Sequence, residues 1–133
     1  MPDRYLLDTN VLSHLVRWPN ELKSKIAAAG EDGVCTSIVA AGELRVGALK
    51  KKSPRLTARV DELLQTLEVM PLDGDVDGIY AAVRARLEAS GRPIGGHDYW
   101  IAAHAIAMGC TLVTDNVQEF RRVANLRVEN WLR

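Results

Sequence analysis

The chain has 133 residues, 47% of them hydrophobic and 26% charged, with 17 basic and 17 acidic side chains and a formal net charge of +0. That length fits one domain, expected over residues 1–133, which buries about two-thirds of the surface exposed when unfolded. The composition excludes a disordered chain, and no apolar run approaches the ~20 residues that a transmembrane helix needs. Zero net charge removes any global field that would favour polyanions, while segregated patches of either sign stay open. Only Arg4 precedes a very short apolar run, so no secretory leader is read and the expected location is cytoplasmic. Cys35 and Cys110 sit in apolar, strand-like contexts and are expected to be reduced, buried and structural.

In chain order, residues 4–8 read as a first strand that runs from apolar Tyr5-Leu6-Leu7 into Asp8. Val11, Leu12, Leu15 and Val16 then recur at helical spacing up to a stop at Trp18-Pro19. A short helix over 20–29 and a strand over 33–37 follow. Ser37 caps a helix over 38–50 in which Val39, Glu43 and Val46 share a face. Ser53-Pro54 starts the next helix, with an apolar stripe of Leu56, Val60, Leu63, Leu64 and Leu67. A third strand is expected over 69–72, broken by Pro71, and a helix over 74–90. Past the Gly95-Gly96 hinge, His97-Asp98 opens a helix that stops at Gly109. Residues 110–114 form a fourth strand ended by Asp115-Asn116. A helical turn over 119–122 and a fifth strand over 126–128 complete the chain. Short apolar strands alternating with helices predict an α/β fold whose short, mainly parallel sheet of four to five strands carries helices on both faces.

In open sheets of this kind ligands bind beyond the carboxyl ends of the strands. Asp8 and Asp115 end the first and fourth strands, Glu43 lies about two turns into a helix that begins at that edge, and Asp98 opens another. Singly, Asp8 reads as a helix cap and Asp98 as an N-cap or first-turn acid that suits the helix dipole, and Glu43 as an exposed helical salt-bridge partner of Arg45 or Lys50. Convergence changes the weighing. Two like charges ~4 Å apart repel by about 4 kcal/mol at an effective dielectric near 20, against a net stability of only about 5–15 kcal/mol. A cluster of four is therefore expected to be partly protonated or to hold a hard divalent cation, Mg2+ or Mn2+. Such an ion with open positions suits phosphodiester hydrolysis. Thr9, Asn10, Thr114 and Asn116 are expected to support the acids, and Arg45, Lys50, Arg92 and Arg122 are the basic residues placed to touch a phosphodiester backbone.

Several blocks of the sequence bear on a known family. They are Leu7-Asp8-Thr9-Asn10, Thr36-Ser37 with Gly42-Glu43-Leu44 and Gly47-Ala48, and Pro93-Ile94-Gly95-Gly96-His97-Asp98-Tyr99-Trp100-Ile101-Ala102-Ala103-His104-Ala105. To these are added Leu112-Val113-Thr114-Asp115-Asn116 with Glu119-Phe120, and the ending Leu126-Arg127-Val128-Glu129-Asn130-Trp131. In that order they resemble the VapC-type PIN-domain ribonucleases over essentially the whole chain. The resemblance implies a three-layer α/β/α PIN-like fold and Mg2+- or Mn2+-dependent endoribonuclease activity as the toxin of a toxin–antitoxin pair. It further implies a VapB-type antitoxin partner, a homodimer within a toxin–antitoxin hetero-oligomer, and no membrane association. Carried over by position, Asp8, Glu43 and Asp98 are the metal-binding acids, and Asp115 or Asn116 takes the fourth place. The closing blocks look most like the branch that cleaves initiator tRNA.

Two other readings are set beside this one. A haloacid-dehalogenase-like phosphatase needs a second Asp where this chain has Asn10, and a receiver-type domain needs an acceptor Asp ending the third strand, which closes near Met70-Pro71. A non-catalytic domain of the same fold would use its acids for capping and for a partner's arginines. His14 and His104, on helices amid apolar residues, read as structural. His97 reads either as a loop histidine or as a group at the site.

Overall fold

The computed structural model describes residues 3–30 and 32–132; Glu31 and the outermost positions of the expected 1–133 domain lie outside them. Its elements are β1 (Tyr5–Leu7), α1 (Thr9–Arg17), α2 (Lys23–Ala29), β2 (Val34–Ser37), α3 (Ile38–Lys50) and α4 (Pro54–Thr66). They continue with β3 (Glu68–Met70), α5 (Val76–Ala89), α6 (Gly96–Met108), β4 (Thr111–Val113), α7 (Val117–Phe120) and β5 (Val128–Glu129). The strands form one sheet in the order β3-β2-β1-β4-β5, and every pairing is parallel. This is the expected α/β architecture with five strands.

Burial explains why the central strands carry no alternation. Leu6 and Leu7 point to opposite faces of β1 and both are fully buried, as are Leu112 and Val113 on β4, since helices cover both faces. The edge strands β3 and β5 are only partly covered and carry a charged residue each, Glu68 and Glu129. On the helical side, α1, α3 and α4 pack together, α5 packs along α6, and α6 also meets α3.

The order of the strands places the site. From β1 the chain moves outward through β2 to β3, then returns to pair β4 with the other side of β1. The two crossovers therefore diverge between β1 and β4, which opens a crevice beyond their carboxyl ends. Asp8 follows β1 directly, and its N–H donates to Val113 O of β4 at 2.9 Å.

Local departures from expectation have local causes. The third strand lies at Glu68–Met70 rather than over 69–72, because Met70 makes the last pairing, with Ser37, and Pro71 has no N–H to continue the ladder. The fifth strand starts at Val128, after Asn125 takes a φ of 65° in a turn, and so falls later than 126–128. The buried face of α3 is Ala40, Ala41, Leu44 and Ala48, small enough for close packing, whereas Val46 stands 50% exposed. Cys35 and Cys110 are free and buried.

The core is predicted to be intolerant of cavities at the central strands. Leu112→Ala should cost about 2–5 kcal/mol by urea denaturation with an unchanged m-value, and a loss under about 0.5 kcal/mol, the size typical of surface substitutions, would contradict the burial described here.

Candidate active site

Asp8 is the floor of the crevice. Its backbone is the N-cap of α1, and its Oδ1 accepts the Thr9 N–H at 2.8 Å, so capping is part of its role. Oδ2 faces the other way and accepts the Thr114 hydroxyl at 2.8 Å, with the Asn10 amide at 3.4 Å. Asn10 also donates to Thr114 Oγ1 at 3.2 Å and accepts the Asp115 N–H at 2.9 Å, tying the end of β1 to the end of β4. Asp8 is buried, and that burial, together with the charges of Glu43 and Glu119, raises its pKa, while the Thr114 and Thr9 donors pull it back.

Glu43 enters from α3. Its Oε2 accepts the Thr9 hydroxyl at 2.9 Å. Its Oε1 is buried without a hydrogen-bond partner among the described residues, although His97 Nδ1 stands at an ion-pair distance of 3.0 Å. A buried carboxylate oxygen left in this state is costly and is a natural seat for a cation.

Asp98 enters from the first turn of α6, and Glu119 from the single-turn helix α7. Gly95 lets them approach: its N–H donates to Glu119 Oε1 at 3.1 Å, and a Cβ there would meet Asp98 Oδ2 at 3.0 Å. Glu119 Oε2 accepts the Asn116 amide. The Asp98 carboxyl is pushed up to about 7, first by burial, then by a side-chain hydrogen bond to Glu119, then by the charges of Glu119, Asp8 and Glu43. The protonated form of Asp98 is thereby favoured up to about neutrality, beside the Glu119 carboxyl.

PIN-domain chemistry implies a divalent metal, and the donor set can be tested for it. Among the described residues no trio of His, Cys, Asp or Glu side chains is already arranged to clasp an ion. Asp98 instead favours its protonated form beside Glu119, and the His97 imidazole stands at ion-pair distance from Glu43. Glu43 Oε1, without a hydrogen-bond partner among the described residues, and the all-oxygen donors nonetheless fit a hard cation, which would replace the proton of Asp98.

Comparison with known proteins accords with this geometry. The PIN domain model matches residues 5–126. Ribonuclease VapC2 of Rickettsia felis is 34% identical over 96% of this chain and 97% of its own length. The tRNA(fMet)-specific endonuclease VapC of Shigella flexneri is 32% identical over 96% and 98%. The crystal structure of VapBC2 from Rickettsia felis bound to a DNA fragment from their promoter superposes with a TM-score of 0.89 at 33% identity, covering 96% of this chain and 98% of that one. The chain belongs to the VapC family of PIN-domain ribonucleases.

Of the residues singled out in the sequence, Asp8, Glu43 and Asp98 converge on the crevice of this VapC-family chain, and Thr9, Asn10, Thr114 and Asn116 hydrogen-bond to them or to one another. Asp115 stands at the rim, exposed, with its carboxylate accepting the Asn130 amide at 3.2 Å. Glu119 is the acid that sequence reasoning passed over. The signal available was its spacing, three residues after Asn116 at the start of a helical turn, which brings the side chain back over the strand end. Among the basic candidates, Arg45 pairs with Asp61 and Arg122 donates to Pro93 O at 2.9 Å, while Lys50 and Arg92 are exposed.

A raised carboxyl pKa has a definite sign. Below the ordinary Asp value of 3.8 the group is protonated folded or unfolded, whereas above about 7 folding must hold it charged among other acids. Without metal, Asp98→Asn should therefore match the parent's Tm near pH 4, exceed it increasingly up to about pH 7 and hold that margin above. Parallel Tm curves across that range would contradict the raised Asp98 pKa.

Proposed function

We propose that this protein is a Mg2+- or Mn2+-dependent endoribonuclease, the toxin of a type II toxin–antitoxin pair, which hydrolyses phosphodiester bonds in RNA. The observation that carries the reading is the meeting of Asp8, Glu43, Asp98 and Glu119 at the β1/β4 crevice, with Glu43 Oε1 buried and without a hydrogen-bond partner among the described residues. The names of the relatives support ribonuclease activity, and the name of the Shigella flexneri relative favours initiator tRNA as the substrate.

Asp8, Glu43 and Asp98 would hold the metal, with Glu119 beside them in the place expected for Asp115. When bound, the ion supplies an activated water and offsets charge on the leaving oxygen. The protein's part is to orient the acids. Thr114 and the Thr9 N–H fix both oxygens of Asp8, the Thr9 hydroxyl fixes one oxygen of Glu43, and the Asn116 amide and Gly95 N–H fix Glu119. Asp98 gives up its proton as a cation enters, so loading should strengthen as pH rises through about 7.

The partner in this reading is a VapB-type antitoxin, as in the VapBC complexes to which the fold is similar. A homodimer of the toxin is included, for which Ile38, Val46 and Leu49 offer exposed apolar surface on α3. A monomer mass by light scattering would remove the homodimer. Among the described residues no helix is long and apolar enough to cross a membrane, and we place the protein in the cytoplasm.

Purified protein should cleave RNA only with Mg2+ or Mn2+, and Asp8→Asn, Asp98→Asn or Glu119→Gln should each lower the rate by at least about 100-fold while keeping the fold by circular dichroism. Undiminished cleavage by the first two would sink the reading. Sequencing of RNA ends after brief expression should show cuts in initiator tRNA, and a spread of ends across messenger RNA would replace that substrate. Mn2+ at one hundred times its Kd should stabilise the parent by about 2.7 kcal/mol and leave Asp98→Asn largely unmoved.

A further inference from the structure

Away from the acids lies a second polar group that the chemistry does not use. His104 of α6 is 1% exposed and Ser37, at the junction of β2 and α3, is 0% exposed. His104 Nδ1 and Ser37 Oγ are 2.8 Å apart. Ser37 Oγ also caps α3 by accepting the Val39 N–H at 3.1 Å, which leaves its own hydrogen free for the imidazole. Nδ1 is then placed to accept, with Nε2 carrying the ring hydrogen on the side of the Pro71 backbone beyond β3. Burial lowers the His104 pKa, consistent with this neutral ring.

Both helices that meet here carry an acid of the site. Glu43 lies six residues after Ser37 on α3, and Asp98 lies six residues before His104 on α6. At the helical rise each acid is about 9 Å along its own axis from the Ser37–His104 bond. Apolar residues would fill the space equally well, but a directional bond also sets the register between the two helices, and a shift of ~1 Å is enough to spoil a ligand set.

We infer that His104 is a positioning residue, whose neutral imidazole bolts the Glu43-bearing helix to the Asp98-bearing helix through Ser37 and so sets the spacing of the acids. This rests on the metal-site reading under Proposed function. It touches none of the acids and takes no part in proton transfer.

The test uses the full chain and Mn2+ followed by electron paramagnetic resonance, with Tm measured alongside. His104→Leu removes the Ser37 bond, His104→Asn keeps an acceptor facing Ser37, and His104→Gln carries its amide past Ser37 toward the Pro71 side. Mn2+ affinity should fall about 10–100-fold in His104→Leu, the range typical of groups that orient ligands, and recover in His104→Asn but not in His104→Gln. Ser37→Ala should weaken binding likewise, with no further loss in the double variant. Lowered Tm with Mn2+ affinity unchanged would reduce His104 to packing and overturn the inference. Should His104→Leu fail to fold, equal affinities for the Asn and Gln variants overturn it as well. Imidazole nitrogen NMR of the parent gives a readout independent of metal: an Nδ1–H tautomer overturns the inference, whereas a parent that binds no Mn2+ overturns the metal reading instead.

Discussion

Mutual repulsion among Asp8, Glu43, Asp98 and Glu119 is the constraint around which this fold is arranged. Four acids brought into a half-buried crevice oppose folding, and the chain answers with fixed dipoles rather than basic side chains. Hydroxyls of Thr9 and Thr114, amides of Asn10 and Asn116, and backbone N–H groups of Thr9 and Gly95 surround the carboxylates. The basic side chain that does approach, His97 at Glu43, is 74% exposed and lies on the solvent side. Neutral donors hold acids in place without cancelling their charge, which keeps the crevice attractive to a divalent ion.

The sheet supplies the rigidity that such a cluster needs. Asp8 is set between β1 and β4 by pairings that bury both strands on both faces, and Thr36 Oγ1 donates to Leu7 O at 2.7 Å just beneath it. The acids on helices depend on different anchors. Glu43 depends on the small-residue face of α3, and Asp98 on Ile101, Ala102 and Ala105, which bury α6 against the sheet. Two rigid helices meeting a rigid strand end fix a point in space more tightly than loops would.

Much of this could be read from the residues because each piece follows a local rule. Apolar runs ending in Asp8 and Asp115 marked the strand ends, and Ser37, Ser53-Pro54 and Gly109 marked helix boundaries within a residue of where they fall. What escaped was three-dimensional. The strand-end rule points to Asp115, whose carboxylate accepts the Asn130 amide at the rim, while the following turn swings Glu119 inward over the crevice. The one sequence signal for Glu119, its place three residues after Asn116, lies on a helix of four residues, where periodicity is weak. On α3 the buried side is selected by packing of alanines that carry little hydropathy of their own, so the sequence does not single it out, and Val46 stays exposed. His104 looked like core, and it is core; its bond to Ser37 spans 67 positions, a distance over which no periodicity speaks.

The placement of β1 at the centre of the sheet also bears on when the crevice can exist. Asp8 and its Thr114 partner lie 106 positions apart, and β4, which carries Thr114 at its end, pairs beside β1 only after the chain has passed out through β2 and β3 and returned. A chain lacking β4 holds Asp8 and Glu43 without the wall that completes their surroundings. The acid cluster thus cannot form piecemeal from one stretch of sequence, and its assembly waits on the longest-range pairing that β1 makes.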